Sequence, residues 1–327
     1  MDKGIKNYLQ QFELGKLQGH KNIGVFPLFT PINHSPEYHT LKEALEKNLL
    51  TVKEVSKSGS VPELKVRNKA EKPVLLLDGE ELAGAKQNRV LNTTILLKEK
   101  SETIIPVTCT EQGRWSYVSE SFSDAGTVMS PRLRMMKSLS VSSSLRESQQ
   151  YLSDQGALWD GIANMSAEAE VQSATGAMRD VFESRTTELD EYLKAFKCVP
   201  KQRGVLVFIN GEVVGFDFIS LESAYKVIHL KLVKSYAMEA ILQKMRKTTK
   251  PNTNKAKVFI NETEKSKEKK YKSVGKGWDY RFEGKLVVGS ALVYRKKVIH
   301  MAFFRITESE KVGPFAGFRR RRTFRIE

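Results

Sequence analysis

Cysteine is scarce: Cys109 and Cys198 are the only two in 327 residues, and they form no CxxC. A disulfide-stapled secreted fold is therefore excluded, and reduced thiols are expected. The five histidines (His20, His34, His39, His229, His300) are scattered, with no HExxH and no i, i+4 pair, so no zinc signature exists. No window approaches the roughly 18 uninterrupted apolar residues of a membrane span. The opening "MDKGIKNYLQQFELGKLQ" lacks the apolar run followed by small residues of a signal peptide, which makes a cytoplasmic protein the expectation. GxSxG, Walker A and a strand-turn-helix GxGxxG are missing too, and "GEVVG" belongs to a hairpin.

What is plentiful is positive charge. The formal net charge is +16 and the pI about 9.6. The excess is local: Lys244 to Lys276 holds twelve Lys/Arg against three Glu, and residues 311–327 hold six against one. Phe315, Phe318 and Phe324 interleave with the arginines of that tail. Phosphate contacts and base stacking through 247–276 and 311–327 would suit a nucleic acid, although charge runs are more often solvated faces.

Periodicity predicts a helix over 3–18, a strand in "IGVFPLFTP", and a threonine-capped helix then a strand in "TLKEALEKNLLTVKEV". "PELKVRNKAEKPVLLLDGEEL" reads as two strands about a polar turn, and "RVLNTTILLKEKSETIIPVTC" as two more. Residues 130–195 are mostly helical. Asn210-Gly211 marks a hairpin, and a long amphipathic helix follows. Residues 247–276 read as a lysine-rich insert whose one strand is "AKVFI", and two or three antiparallel strands close the chain. The expected fold is α+β, an antiparallel β-rich layer from the N- and C-terminal segments with a helical middle. It forms a single domain over 1–310 with a lysine-rich insert around 247–273 and a basic tail at 311–327.

Chemistry concentrates in two stretches. In "DGEELAGAKQNRVL", Gly79 and Gly84 flank Glu80 and Glu81, and Lys86, Gln87 and Arg89 follow. Lysine and arginine suit phosphate, and a glutamate beside them could serve as acid or base. A salt-bridged surface turn is the plain alternative. In "PVTCTEQGRWSY", Cys109 ends an apolar strand and Glu111, Gln112, Arg114 and Trp115 come next. Arg114 beside Cys109 could favour a thiolate, though a cysteine closing such a strand is more often inert. Trp115 suits stacking on a base or ribose. Ser235 and Tyr236 lie on the long helix, and His300 sits in an apolar strand, where a hydrogen-bonded core or edge role is expected and proton transfer stays open.

Together, "LLLDGEELAGAKQNRVLNTTILL" and "IIPVTCTEQGRW" resemble the ARG and rhodanese-phosphatase-superfamily-associated protein domain family, where ARG denotes ADP-ribosylglycohydrolase. "ATGAMRDVFE", "VLVFINGEVVGFDFI", "LVKSYAMEA" and "GSALVYRKKVIHMAFF" extend the resemblance over Pro73 to Phe304. It implies ADP-ribose- or NAD-related nucleotide chemistry. Carried onto this chain, it implies phosphate contacts from Lys86, Arg89 and Arg114 and stacking by Trp115. Gln87 and Gln112 would orient the substrate, Glu80 would complete the ligand site, and Glu81, Glu111 and Cys109 are the catalytic candidates. A hydrolase of glycosidic or phosphoester bonds fits that set. A non-catalytic nucleotide-sequestering regulator needs the same cations without a titrating carboxylate, and a nucleic-acid-binding module would use the insert and tail. No cofactor is expected: a divalent metal on Glu80, Glu81 or Glu111 has no spacing pattern behind it.

Overall fold

The computed structural model of the chain describes residues 1–33, 35–245 and 250–307. Strands Gly204–Ile209 and Glu212–Ile219 pair antiparallel across Asn210-Gly211, and both turn residues take positive φ (49° and 75°). That is the backbone a tight type I′ hairpin requires, and Asn-Gly adopts it at least cost. Ile23–Phe29 adds on one side of the hairpin. On the other side come Lys297–Arg305, Val287–Tyr294, Trp278–Glu283 and Lys267–Lys272, in that order. With Glu13–Leu14 and Gln18–His20, both paired to Ile23–Phe29, the sheet has nine strands.

Helices cover both faces of this sheet, which is why strands such as "VLVFI" are apolar throughout rather than alternating. Val205, Val207 and Ile209 pack towards the helices Pro131–Ser148 and Glu222–Leu242. Leu206 and Phe208 join Ile5 and Leu9 of Lys3–Gln10 and Phe259 of Thr253–Glu264. A six-stranded sheet runs Phe122–Val128, Glu80–Gly84, Arg89–Leu91, Ser101–Cys109, Glu63–Asn68, Leu50–Glu54. A three-stranded one runs Ile95–Leu97, Val74–Leu76, His39–Thr40. Leu64, Val66, Leu76, Leu82, Ile95 and Val107 are buried together between them. Thr40 caps Leu41–Glu46 with a full capping box, its hydroxyl accepting from the Glu43 N–H while the Glu43 carboxylate accepts from the Thr40 N–H. With helices Gln155–Glu168, Met178–Ser184 and Thr186–Ala195 in the middle, the fold is α+β with sheets drawn from both ends of the chain, antiparallel except where His39–Thr40 pairs parallel with Val74–Leu76.

Several local expectations change. The opening helix stops at Gln10, and the glycine-containing "ELGKLQGH" turns into two short strands. "AKVFI" is not a strand: it lies inside Thr253–Glu264, where the Asn252 side chain accepts from the Lys255 N–H, and Ala256, Phe259, Ile260 and Thr263 repeat at helical spacing. A five-residue apolar run has no period of its own, so the cap decided the outcome. The insert's second half then forms the edge strand Lys267–Lys272. "RVLNTTILLKEKSETIIPVTC" makes three strands, with Ile95–Leu97 leaving for the small sheet. The basic tail 311–327 lies outside the described residues, as do 246–249.

A buried polar network joins the sheets. Arg134 donates to both carboxylate oxygens of Asp217 (2.9 and 2.7 Å), and the Tyr236 hydroxyl donates to the same group at 2.9 Å. His300 Nε2 lies 3.3 Å from Asp217, while its Nδ1 meets the Thr94 hydroxyl at 2.8 Å. His300 is thus a hydrogen-bonded core residue. Lys137 pairs with Asp78, whose other oxygen is 3.6 Å from Arg134 Nε. Burial pushes the Asp217 carboxyl towards its neutral form, but Arg134 and His300 outweigh it and hold the pKa far below the carboxylate range. Gly79, at φ +83°, makes room for this: a Cβ there would sit 3.0 Å from Arg134 Cγ.

Candidate functional site: a cleft beside Glu81

Strand pairing brings the two polar stretches together. Glu81 faces Val90 and Leu82 faces Arg89, while Thr108 faces Val90 and Cys109 faces Arg89. Alternation along a strand then divides the side chains between two faces of the sheet. Leu82, Arg89 and Cys109 point one way. Glu81, Val90 and Thr108 point the other, with Thr110 beside Glu81.

On the first face, Arg89 is fully buried. Its Nη1 donates to the Gln87 side chain (3.0 Å), Nη2 lies 3.8 Å from Glu54, and Nε and Nη2 make no hydrogen bond among the described residues. Trp115, 45% exposed, covers it with the ring 5.5 Å from the guanidinium, and Lys86 Nζ sits 5.2 Å from the same ring and 5.1 Å from that of Tyr117. Arg114 spends all five donors within the protein, on the Glu111 carboxylate (2.9 and 2.6 Å), Asn88 and the carbonyls of Ala85 and Ser116. It stitches the turns together and has nothing left for a phosphate. Burial raises the Glu111 pKa, but Arg114 and the Asn88 N–H outweigh it and hold the carboxyl below its usual value, the reverse of what a base at neutral pH needs. Burial lifts the Cys109 thiol to about 11, so no thiolate forms at neutral pH. Gln87 Nε2 donates to the Gln112 carbonyl at 3.3 Å, and the Gln112 side chain faces solvent. Glu80 is buried against Lys231 at 2.7 Å.

Glu81, on the second face, is different. It is 0% exposed and among the described residues has no cationic partner in hydrogen-bond contact; its oxygens accept from the hydroxyls of Thr110 (2.7 Å) and Thr127 (3.0 Å). Burial disfavours the charged form more than these hydroxyls restore it, and the carboxyl is pushed up to about 7. Thr127 also lines a cavity of about 200 Å³ whose wall includes Arg179, Phe182, Glu183, Leu189, Asp190 and Lys234. Arg179 pairs with Glu183 at 2.5 Å, and Lys234 is half-buried. Thr127 thus stands between a carboxyl pushed up to about 7 and a cleft in which two cations, Arg179 and Lys234, accompany two carboxylates, Glu183 and Asp190.

A family model described as ARG and Rhodanese-Phosphatase-superfamily-associated Protein domain matches residues 11–304. The chain belongs to that family. The family's name places it in an ADP-ribosylglycohydrolase-associated context. No curated protein and no solved structure matches it. The match takes in the whole cleft, with Glu81 from the first quoted motif, Thr110 from the second, Arg179 and Phe182 from "ATGAMRDVFE" and Lys234 from "LVKSYAMEA". Arg179, Lys234, Thr110 and Thr127 escaped residue-by-residue reading, for nothing local links a threonine near 127 to a lysine at 234. For Thr110, Arg179 and Lys234, membership in a shared motif was the one available signal; Thr127 lies in none of the quoted motifs. Among the described residues, no group of three or more His, Cys, Asp or Glu is placed to hold a metal ion, and no helix is long and apolar enough to cross a membrane.

Proposed function

We propose that this chain binds a phosphate-bearing nucleotide of the ADP-ribose or NAD type in the cleft beside Glu81 and hydrolyses a glycosidic or phosphoester bond in it. The observation that carries the reading is the Glu81 carboxyl, dry, hydrogen-bonded only to hydroxyls and poised at about 7. Arg179 and Lys234 would hold phosphate oxygens, and Phe182 and Leu189 would pack against the sugar. Thr127 would pass a proton between Glu81 and the scissile oxygen. At about 200 Å³ the cavity is smaller than the roughly 300–1,000 Å³ of sites that engulf a whole drug-sized ligand, so it takes one phosphoribosyl end. The other end would lie over the outer surface.

The orphaned donors of Arg89 beneath the exposed Trp115, with Lys86 alongside, support a second contact region for an anion next to a stacked ring. Being on the opposite face of the strands, this patch is not an extension of the Glu81 cleft. Calorimetry with ADP-ribose and NAD, followed by chromatography for products, tests the proposal. Arg179→Ala with Lys234→Ala is expected to weaken binding by about tenfold or more, since charge-assisted contacts are each worth about 1.5–3 kcal/mol. Glu81→Gln is expected to keep binding and lose turnover. Binding without product in the wild type would leave a nucleotide-sequestering protein, and no binding of either nucleotide would end the reading.

A further inference from the structure

A second cavity, of about 190 Å³, lies at the far edge of the nine-stranded sheet, and it shares no residue with the Glu81 cleft. Its wall combines Lys267 and Lys269 from the edge strand Lys267–Lys272, Arg281 and Glu283 from Trp278–Glu283, and Ser142 and Arg146 from the helix Pro131–Ser148. Four cations therefore face one carboxylate. That carboxylate, Glu283, is already paired with Arg146. Lys267 and Lys269 make no ion pair or hydrogen bond among the described residues.

Register makes the arrangement costly. Lys269 stands directly opposite Arg281 in the ladder, a like-charge cross-strand pair that works against sheet stability. Arg281 cannot turn away: Nε and Nη2 are fixed on Asp279 (2.6 and 3.0 Å) and on the Thr93 hydroxyl at 2.7 Å. Its Nη1 has no hydrogen bond within the described residues. Ser142 is 1% exposed, and its Oγ has no hydrogen-bond partner among the described residues. Buried hydroxyls are normally satisfied. An orphan hydroxyl, a spare arginine donor and two unpaired lysines converging on one cavity make up the donor set for a tetrahedral oxyanion.

We infer that this pocket binds a phosphoryl group, either free orthophosphate or the terminal group of a small phosphomonoester. Arg281 and Ser142 form its preorganised floor, and Lys267 and Lys269 close over the anion.

The test titrates the full chain with orthophosphate and, separately, with ribose 5-phosphate, following binding by phosphorus NMR and calorimetry. Saturable binding of at least one is expected, and whichever binds tighter tells whether the phosphoryl group is free or carried. Lys267→Ala with Lys269→Ala, on an exposed edge strand, is expected to weaken it about tenfold. Ser142→Ala, which removes an unpartnered hydroxyl, is expected to weaken it several-fold with an unchanged melting temperature in phosphate-free buffer. Arg179→Ala with Lys234→Ala removes any binding in the other cleft, and in that background the component that depends on Lys267 and Lys269 must persist. The inference is overturned if neither compound saturates, if the lysine pair can be removed without effect, or if the change at Arg179 and Lys234 abolishes binding. It is equally overturned if only an oligonucleotide binds and orthophosphate does not compete with it.

Discussion

Replacing Glu81 by glutamine should make the protein more stable, and only above acidic pH. The carboxyl sits at about 7 against an ordinary 4.5, because burial disfavours its charge. At about 1.4 kcal/mol per tenfold change in proton affinity, that displacement corresponds to about 3 kcal/mol. The sign follows from proton counts. Between pH 4.5 and 7 the folded state holds a proton that the unfolded state has released, so stability falls as pH rises. The contribution of protonated Glu81 is complete below about 4.5 and gone above about 7. Glutamine is nearly the same shape, can still accept from Thr110, and carries no charge to desolvate. Urea denaturation of both proteins at several pH values from 5 to 8 isolates this group, since all others cancel in the difference. The variant should exceed the wild type by under about 1 kcal/mol at pH 5 and by about 3 kcal/mol at pH 8. Parallel stability curves would show that Glu81 ionises freely and would remove the physical basis for its acid–base role.

Arg134→Ala should cost about 3–5 kcal/mol in denaturant midpoint measurements, because it strands the buried Asp217 carboxylate. A loss under 1 kcal/mol would mean that water reaches that carboxylate. Alkylation of the native protein at pH 8, read by mass spectrometry, should modify the half-buried Cys198 well before the fully buried Cys109. Equal rates would contradict the packing around Cys109.

The elements that could be read from sequence are those specified by neighbours in the chain. Thr40 with Glu43, Asn210-Gly211 and the apolar runs after residue 278 each carry their signal within a few residues, and each forms as expected. Where the signal is ambiguous, as in "AKVFI", or interrupted, as after Gln10, the reading failed. For the proposed cleft, sequence singled out the strands that carry Glu81 and named Glu81 itself. It could not tell that alternation separates Glu81 from Arg89 and Cys109, because register depends on which partner a strand finds. Nor could it tell that Arg114 would use up its donors on its own turn. Thr127, Arg179 and Lys234 come from three distant segments, and only their packing around one cavity makes them neighbours.

The position of Lys297–Arg305 within the large sheet has a consequence for biosynthesis. This last described strand is not at the margin; it is inserted between Glu212–Ile219 and Val287–Tyr294. A nascent polypeptide emerging from the ribosome can assemble its first two hundred residues yet must keep the Glu212–Ile219 backbone unpaired on one side until translation has passed Arg305. His300, which arrives with that strand, also completes the shell around Asp217. Completion of the sheet therefore waits on Lys297–Arg305, and a product terminated before that strand would expose a long apolar ladder edge of the kind that quality-control machinery recognises.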